Sequence, residues 1–117
     1  MIRKNVFERL NGFDEKLFMY MEDMELCFRA RKEGCLTYFY PDLSIDHKEQ
    51  GSSNRQFAIL NIYRGLLYFY KKHKGTLQYM IVKLLLITKA LIVSLFGLVS
   101  GNTYLKATYK KALVISL

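Results

Sequence analysis

The pattern of hydrophobic and polar positions changes character near the middle of this chain. Up to residue 53 apolar residues come in short runs broken by charge; from residue 54 they recur at helical spacing over long stretches. Residues 4–10 read as a short helix with Asn5 as candidate N-cap, stopped at Asn11-Gly12. Residues 12–21, GFDEKLFMYM, read as a loop anchored by Phe13, Phe18 and Tyr20. Residues 22–33 predict a helix whose first turn is acidic (Glu22, Asp23, Glu25) and whose last turns are basic (Arg29, Arg31, Lys32). That order suits the helix dipole, and Gly34 suits the C′ position. Leu26, Cys27, Ala30 and Gly34 form its expected packed side.

Residues 35–40, CLTYFY, are β-prone and end at Pro41-Asp42, which predicts a strand; residues 43–47 predict a second extended piece. A loop follows over 48–54, with Ser52 or Ser53 expected to cap a helix over about 55–73. Gly75 breaks that helix. A strongly apolar one follows over about 77–99, and Ser100-Gly101-Asn102 precedes a last helix from Thr103.

Charge sharpens the division. The 117 residues carry a net +8, yet all ten acids lie in residues 1–53, and residues 54–117 hold ten Lys/Arg with no acid. A basic, acid-free half attracts an anionic surface. Its companions are aliphatic runs rather than the context of nucleic-acid modules, so the expected partner is an anionic membrane surface and not nucleic acid. The run over 80–99 is long enough for a bilayer, but Lys83 and Lys89 interrupt it and both flanks are basic. The favoured reading is a helix pair in or shallowly entering the cytoplasmic leaflet; a span and a buried soluble helix are the alternatives. Cys27 and Cys35 match no metal or disulfide spacing and are expected to be small buried hydrophobes. The polar N-terminus has no apolar signal-peptide core.

The run NGFDEKLFMYMEDMELCFRARKEG, from Asn11 to Gly34, resembles a signature of bacterial family 2 (GT-A-type) glycosyltransferases, roughly GGFDE-x-F-F-x-Y-x-ED-x-D-L-C-x-R-x-R-x-x-G. The following YFYPDLSIDH, Tyr38 to His47, resembles the family's next element. The chain departs at Asn11, where the signature has Gly, and at Glu25, where it has Asp. The resemblance is rhamnosyltransferase-like and densest over 11–53.

The resemblance implies an α/β fragment, the C-terminal acceptor-side part of a GT-A (Rossmann-like) domain, followed by an all-α membrane-associated tail. The corresponding divisions are 1–53 for the catalytic portion, 54–75 for a basic connecting helix and 76–117 for the tail. It implies inverting transfer of a sugar from a nucleotide sugar to a cell-surface polysaccharide or lipid-linked glycan. Such transfer needs a base for the acceptor hydroxyl, and a carboxylate at a helix start beside a cavity can be one. That role carries over to Asp23, with Glu22 orienting Asp23 or the acceptor. Asp14, Glu15, Tyr20 and Arg29 become candidate substrate-binding residues, Arg29 being alternatively a brace for the loop. The family's divalent cation, Mn²⁺ or Mg²⁺, would take His47 as a ligand, although one imidazole suits these ions only weakly.

The family places a nucleotide-binding βαβ half and an Asp-x-Asp motif upstream. This chain has neither that motif nor GxGxxG. The expectation is therefore a truncated frame, or one part of an enzyme completed by a separate N-terminal half, on the cytoplasmic face of a bacterial inner membrane. The rival is a non-catalytic, basic membrane adaptor derived from such an enzyme.

Overall fold

A computed structural model of the chain describes residues 1–42, 44 and 54–117. It divides into two compact units, Met1–Ser53 and Asn54–Leu117. The first holds α1 (Lys4–Arg9) and α2 (Glu22–Lys32); the second holds α3 (Arg55–His73), α4 (Thr76–Val99) and α5 (Thr103–Ser116).

In the first unit α1 is a single short stretch ended by a left-handed pair, Asn11 at φ 57° and Gly12 at φ 69°. Both residue types tolerate that conformation. Arg3, not Asn5, holds the N-cap position; Asn5 instead accepts a bond from the Val6 amide at 2.9 Å. Leu10, Leu26 and Ala30 form a small core with Val6, Phe7 and Cys35 beside it. The loop between the helices is anchored by Leu17 and Met21, both buried. The expected anchors Phe13, Phe18 and Tyr20 are exposed instead, Phe13 resting edge-on against Phe7 at 5.4 Å. Arg9 clamps α1 to the end of α2 through Glu33 at 2.7 Å, and that bond raises the Arg9 pKa further.

The expected α/β fragment is not what forms. Every regular element among the described residues is a helix, and none is a strand. The β-prone residues 35–40 are irregular, and Leu36, Tyr38, Phe39 and Tyr40 stand in solvent. Their composition suits a pleated, half-buried surface, but such a surface needs a neighbouring strand, and no described residue supplies one. Residues 45–47 and Leu43 lie outside the described residues, as do Ser52 and Ser53. The cap of α3 is Asn54, whose side chain accepts from the Phe57 amide at 2.8 Å. The cysteines also differ from expectation: Cys27 is exposed and Cys35 half-buried.

The second unit is a three-helix assembly. Tyr63, Leu86, Ala90 and Ala112 form its buried centre, with Leu60, Leu67, Val82 and Leu113 packed around it. Helices α4 and α5 run antiparallel. The Lys83 ammonium donates to the Leu117 carbonyl at 2.9 Å, while Gly97, near the other end of α4, sits against Asn102, Leu105 and Lys106. A Cβ on Gly97 would stand 2.6 Å from the Lys106 nitrogen, so only glycine permits this approach. Gln56 of α3 reaches the buried Thr108 hydroxyl of α5 at 2.9 Å. Helix α4 has the length and composition to cross a membrane, and most of its large apolar side chains are exposed.

Candidate active site on the first turn of α2

The acidic first turn of α2 is where the sequence expectation and the structure meet. Glu22, Asp23 and Glu25 sit within it, and they have three different environments. Glu22 is half-buried and folds back on the chain, accepting from the Met21 amide at 2.8 Å. It satisfies one of the amides that a helix start leaves without an intrahelical partner. Asp23 is exposed, and one of its carboxylate oxygens accepts from the Met24 amide at 2.7 Å. That bond fixes the direction of the carboxylate while leaving it open to solvent.

Glu25 is the residue that sequence reasoning missed. It is 0 % exposed, and its carboxylate receives the Arg29 guanidinium at 2.8 Å. Arg29 extends further: its other nitrogens donate to the Leu10 carbonyl and, at 2.8 Å, to the Gly12 carbonyl. One guanidinium therefore ties α2 to the left-handed turn that opens the Gly12–Met21 loop. Arg29, expected among the substrate-binding residues, has its donors turned inward to that brace. The i, i+4 spacing of Glu25 and Arg29, on the same face as Leu26 and Ala30, was the available signal.

The loop presents the remaining candidates. Asp14 is half-buried and caps its own turn, accepting from the Lys16 amide at 3.0 Å. Glu15 is exposed. Tyr20 is exposed at φ 80°, a conformation that costs a bulky residue of the order of 1–3 kcal/mol and tends to be retained at working sites. It immediately precedes the helix start that carries Asp23. Phe13, Phe18 and Met24 are exposed in the same unit, so apolar surface accompanies the carboxylates. A carboxylate held at a helix start can accept a proton from a sugar hydroxyl. His47 lies outside the described residues. Among the described residues no group of three His, Cys, Asp or Glu side chains could hold a metal ion, so they do not by themselves fit the expected cation.

Comparison with known proteins finds partial matches to proteins named as sugar transferases. Over 58 residues, 50% of this chain, the sequence is 38% identical to an N-acetylglucosaminyl-diphospho-decaprenol L-rhamnosyltransferase of Mycobacterium tuberculosis; the match covers 19% of that protein. It is 37% identical over 57 residues to the rhamnosyltransferase WbbL of Escherichia coli, covering 49% of this chain and 21% of the relative. It is 48% identical over 33 residues to the low-salt glycan biosynthesis hexosyltransferase Agl10 of Haloferax volcanii, covering 28% of this chain and 11% of the relative. The chain thus spans about a fifth of the length of the first two relatives. No protein-family profile matches it. No solved structure matches it. The relationship is glycosyltransferase-like, carried by half of the chain.

Proposed function

We propose that this chain is the acceptor-side part of an inverting glycosyltransferase of the family 2 type, with Asp23 as general base. The carrying observation is the Asp23 carboxylate: exposed, directed by the Met24 amide, and set on a helix that the Glu25–Arg29 brace holds to its loop. In this reading the acceptor hydroxyl gives its proton to Asp23 as it attacks the anomeric carbon, and the nucleoside diphosphate leaves from the opposite face. Glu22 holds the helix start. Exposed Tyr20, with Asp14 and Glu15 on the same loop, offers stacking surface and hydrogen-bond acceptors to a glycan. The rhamnosyltransferases among the relatives support a nucleotide-linked deoxyhexose donor and a lipid-linked or cell-surface glycan acceptor. A divalent cation, Mn²⁺ or Mg²⁺, would serve the diphosphate side, with His47, which lies outside the described residues, as its candidate ligand. The apolar length of α4 supports membrane association, and the place proposed for it is the cytoplasmic face of the inner membrane.

The test is transfer from nucleotide-activated rhamnose to a lipid-linked acceptor by the complete enzyme. Asp23→Asn lowers it about 10²–10⁴-fold, the usual contribution of a positioned base, while donor binding persists. A loss under tenfold in a normally folded variant assigns the base elsewhere.

A further inference from the structure

Two features of the second unit bear on how a membrane would meet it. The first is the outward side of α4. Leu77, Ile81, Leu84, Ile92, Leu95 and Val99 recur at helical spacing along it, and all are exposed. The polar residue on this line is Thr88, and its hydroxyl donates to the Leu84 carbonyl of the same helix at 2.9 Å. The two lysines that interrupt the sequence run leave the stripe whole. Lys83 faces α5 and is half-buried on the Leu117 carbonyl, and Lys89 lies roughly 100° around the helix from Thr88. The apolar stripe therefore runs from Leu77 to Val99, about 33 Å, without a charge.

The second feature is what lies beside it. Helix α5 packs antiparallel along α4 between Gly97 and Lys83, so it flanks the middle of α4. It exposes Lys106 level with Gly97, near the end of α4, and Lys110 and Lys111 about one turn further toward the middle. If α4 crossed the bilayer, α5 would carry the exposed Lys110 and Lys111 ammonium groups into hydrocarbon, at a cost approaching the roughly 2.5–3.5 kcal/mol each of a bilayer-centre lysine. If α4 lies along the interface, the same lysines reach headgroups. An acid-free unit with ten Lys/Arg suits anionic headgroups and opposes a second copy of itself.

We infer that the outward stripe of α4 is a lipid-docking surface that lies parallel to the membrane plane, sunk into one leaflet of an anionic bilayer, with the lysines of α5 at headgroup level. This rests on the membrane placement proposed above but not on the glycosyl-transfer reading. Burial in such a geometry reaches about 5–10 Å below the headgroups at every point of the helix.

The chain contains no tryptophan, so single tryptophans report depth cleanly. Leu77→Trp, Thr88→Trp and Val99→Trp place one probe at each end of the stripe and one at its middle. The full chain is bound to vesicles of equal parts phosphatidylcholine and phosphatidylglycerol, with bromine at defined acyl positions. All three probes are expected to be quenched most by shallow bromines, to the same extent. Leu84→Ser with Ile92→Ser lowers vesicle partitioning about a hundredfold or more, since both side chains leave lipid but neither leaves the protein core. Each of Lys106→Gln, Lys110→Gln and Lys111→Gln lowers it about fivefold. A deep Thr88→Trp between shallow ends means that α4 spans; that overturns the in-plane docking and leaves the membrane placement standing. Absence of vesicle binding, with concentration-dependent dimers in sedimentation, makes the stripe a self-interface and overturns both. Neither result bears on Asp23.

Discussion

Arg29 shows how much of a site can rest on one side chain. Its guanidinium serves Glu25, Leu10 and Gly12 together, and Glu25 is wholly removed from solvent. Arg29→Ala strands a buried carboxylate away from its cation, a loss of about 3–5 kcal/mol, and thermal unfolding of the first unit should shift accordingly. Arg29→Lys is expected to rescue little, because a single ammonium cannot reproduce a fork reaching one carboxylate and two carbonyls. If the lysine variant melts with the parent, the brace is not the organising contact. Tyr63 gives a second prediction. It is 2 % exposed, its hydroxyl has no hydrogen-bond partner among the described residues, and burial, with a smaller contribution from Tyr109, pushes its pKa up to about 12. Between about pH 10 and pH 12 the unfolded chain releases this proton while the folded chain keeps it, so stability present below pH 10 is lost as pH rises. Denaturation of the detergent-solubilised chain should show a steeper loss over that window than Tyr63→Phe does, by an amount of the order of 2 kcal/mol. Parallel curves for the two proteins would mean that Tyr63 ionises freely. At this scale the sequence was readable for Asp23 and Glu22, whose place in an acidic first turn follows from dipole and capping chemistry. Glu25 was readable only in part: its i, i+4 spacing to Arg29 was a local signal, but its complete burial was not.

Elements divide by how much they depend on distant partners. Helices α3, α4 and α5 were legible almost to their ends, because periodicity, Gly75 and Asn102 are local signals and α-helices satisfy their backbone within themselves. The strand expected over residues 35–40 was not, since a strand's hydrogen bonds belong to its neighbours and composition cannot supply them. The close approach of α4 and α5 was equally invisible: Gly97 reads in sequence as a weak point in an apolar helix, whereas in the structure it is the contact itself. Gly97→Ala puts a carbon 2.6 Å from the Lys106 nitrogen, and because that atom is backbone the helices must separate. A destabilisation of about 1–3 kcal/mol is expected, despite the gain in helix propensity that alanine brings. Chemical denaturation in mild detergent measures it; a stabilised Gly97→Ala would show that the helices do not meet there.

For the whole molecule, the separation of charge sets how attachment responds to solution conditions. The first unit holds every acid and the second is purely basic, so attraction to an anionic leaflet belongs to residues 54–117. That attraction is screened: the Debye length falls from about 10 Å at 0.1 M salt to about 3 Å at 1 M. Apolar burial along α4 is not screened. The two contributions can therefore be separated by salt alone. At low ionic strength the chain should prefer vesicles containing phosphatidylglycerol by orders of magnitude, at about 1 kcal/mol for each lysine near the surface. In 1 M salt that preference should shrink to a few-fold, yet most of the protein should stay with either vesicle until detergent removes it. Sedimentation of vesicles across a salt series reads both quantities. Complete release by 1 M salt would mean that lysines alone hold the chain and that the stripe from Leu77 to Val99 stays out of the lipid. A phosphatidylglycerol preference that survives 1 M salt unchanged would point instead to a specific headgroup site.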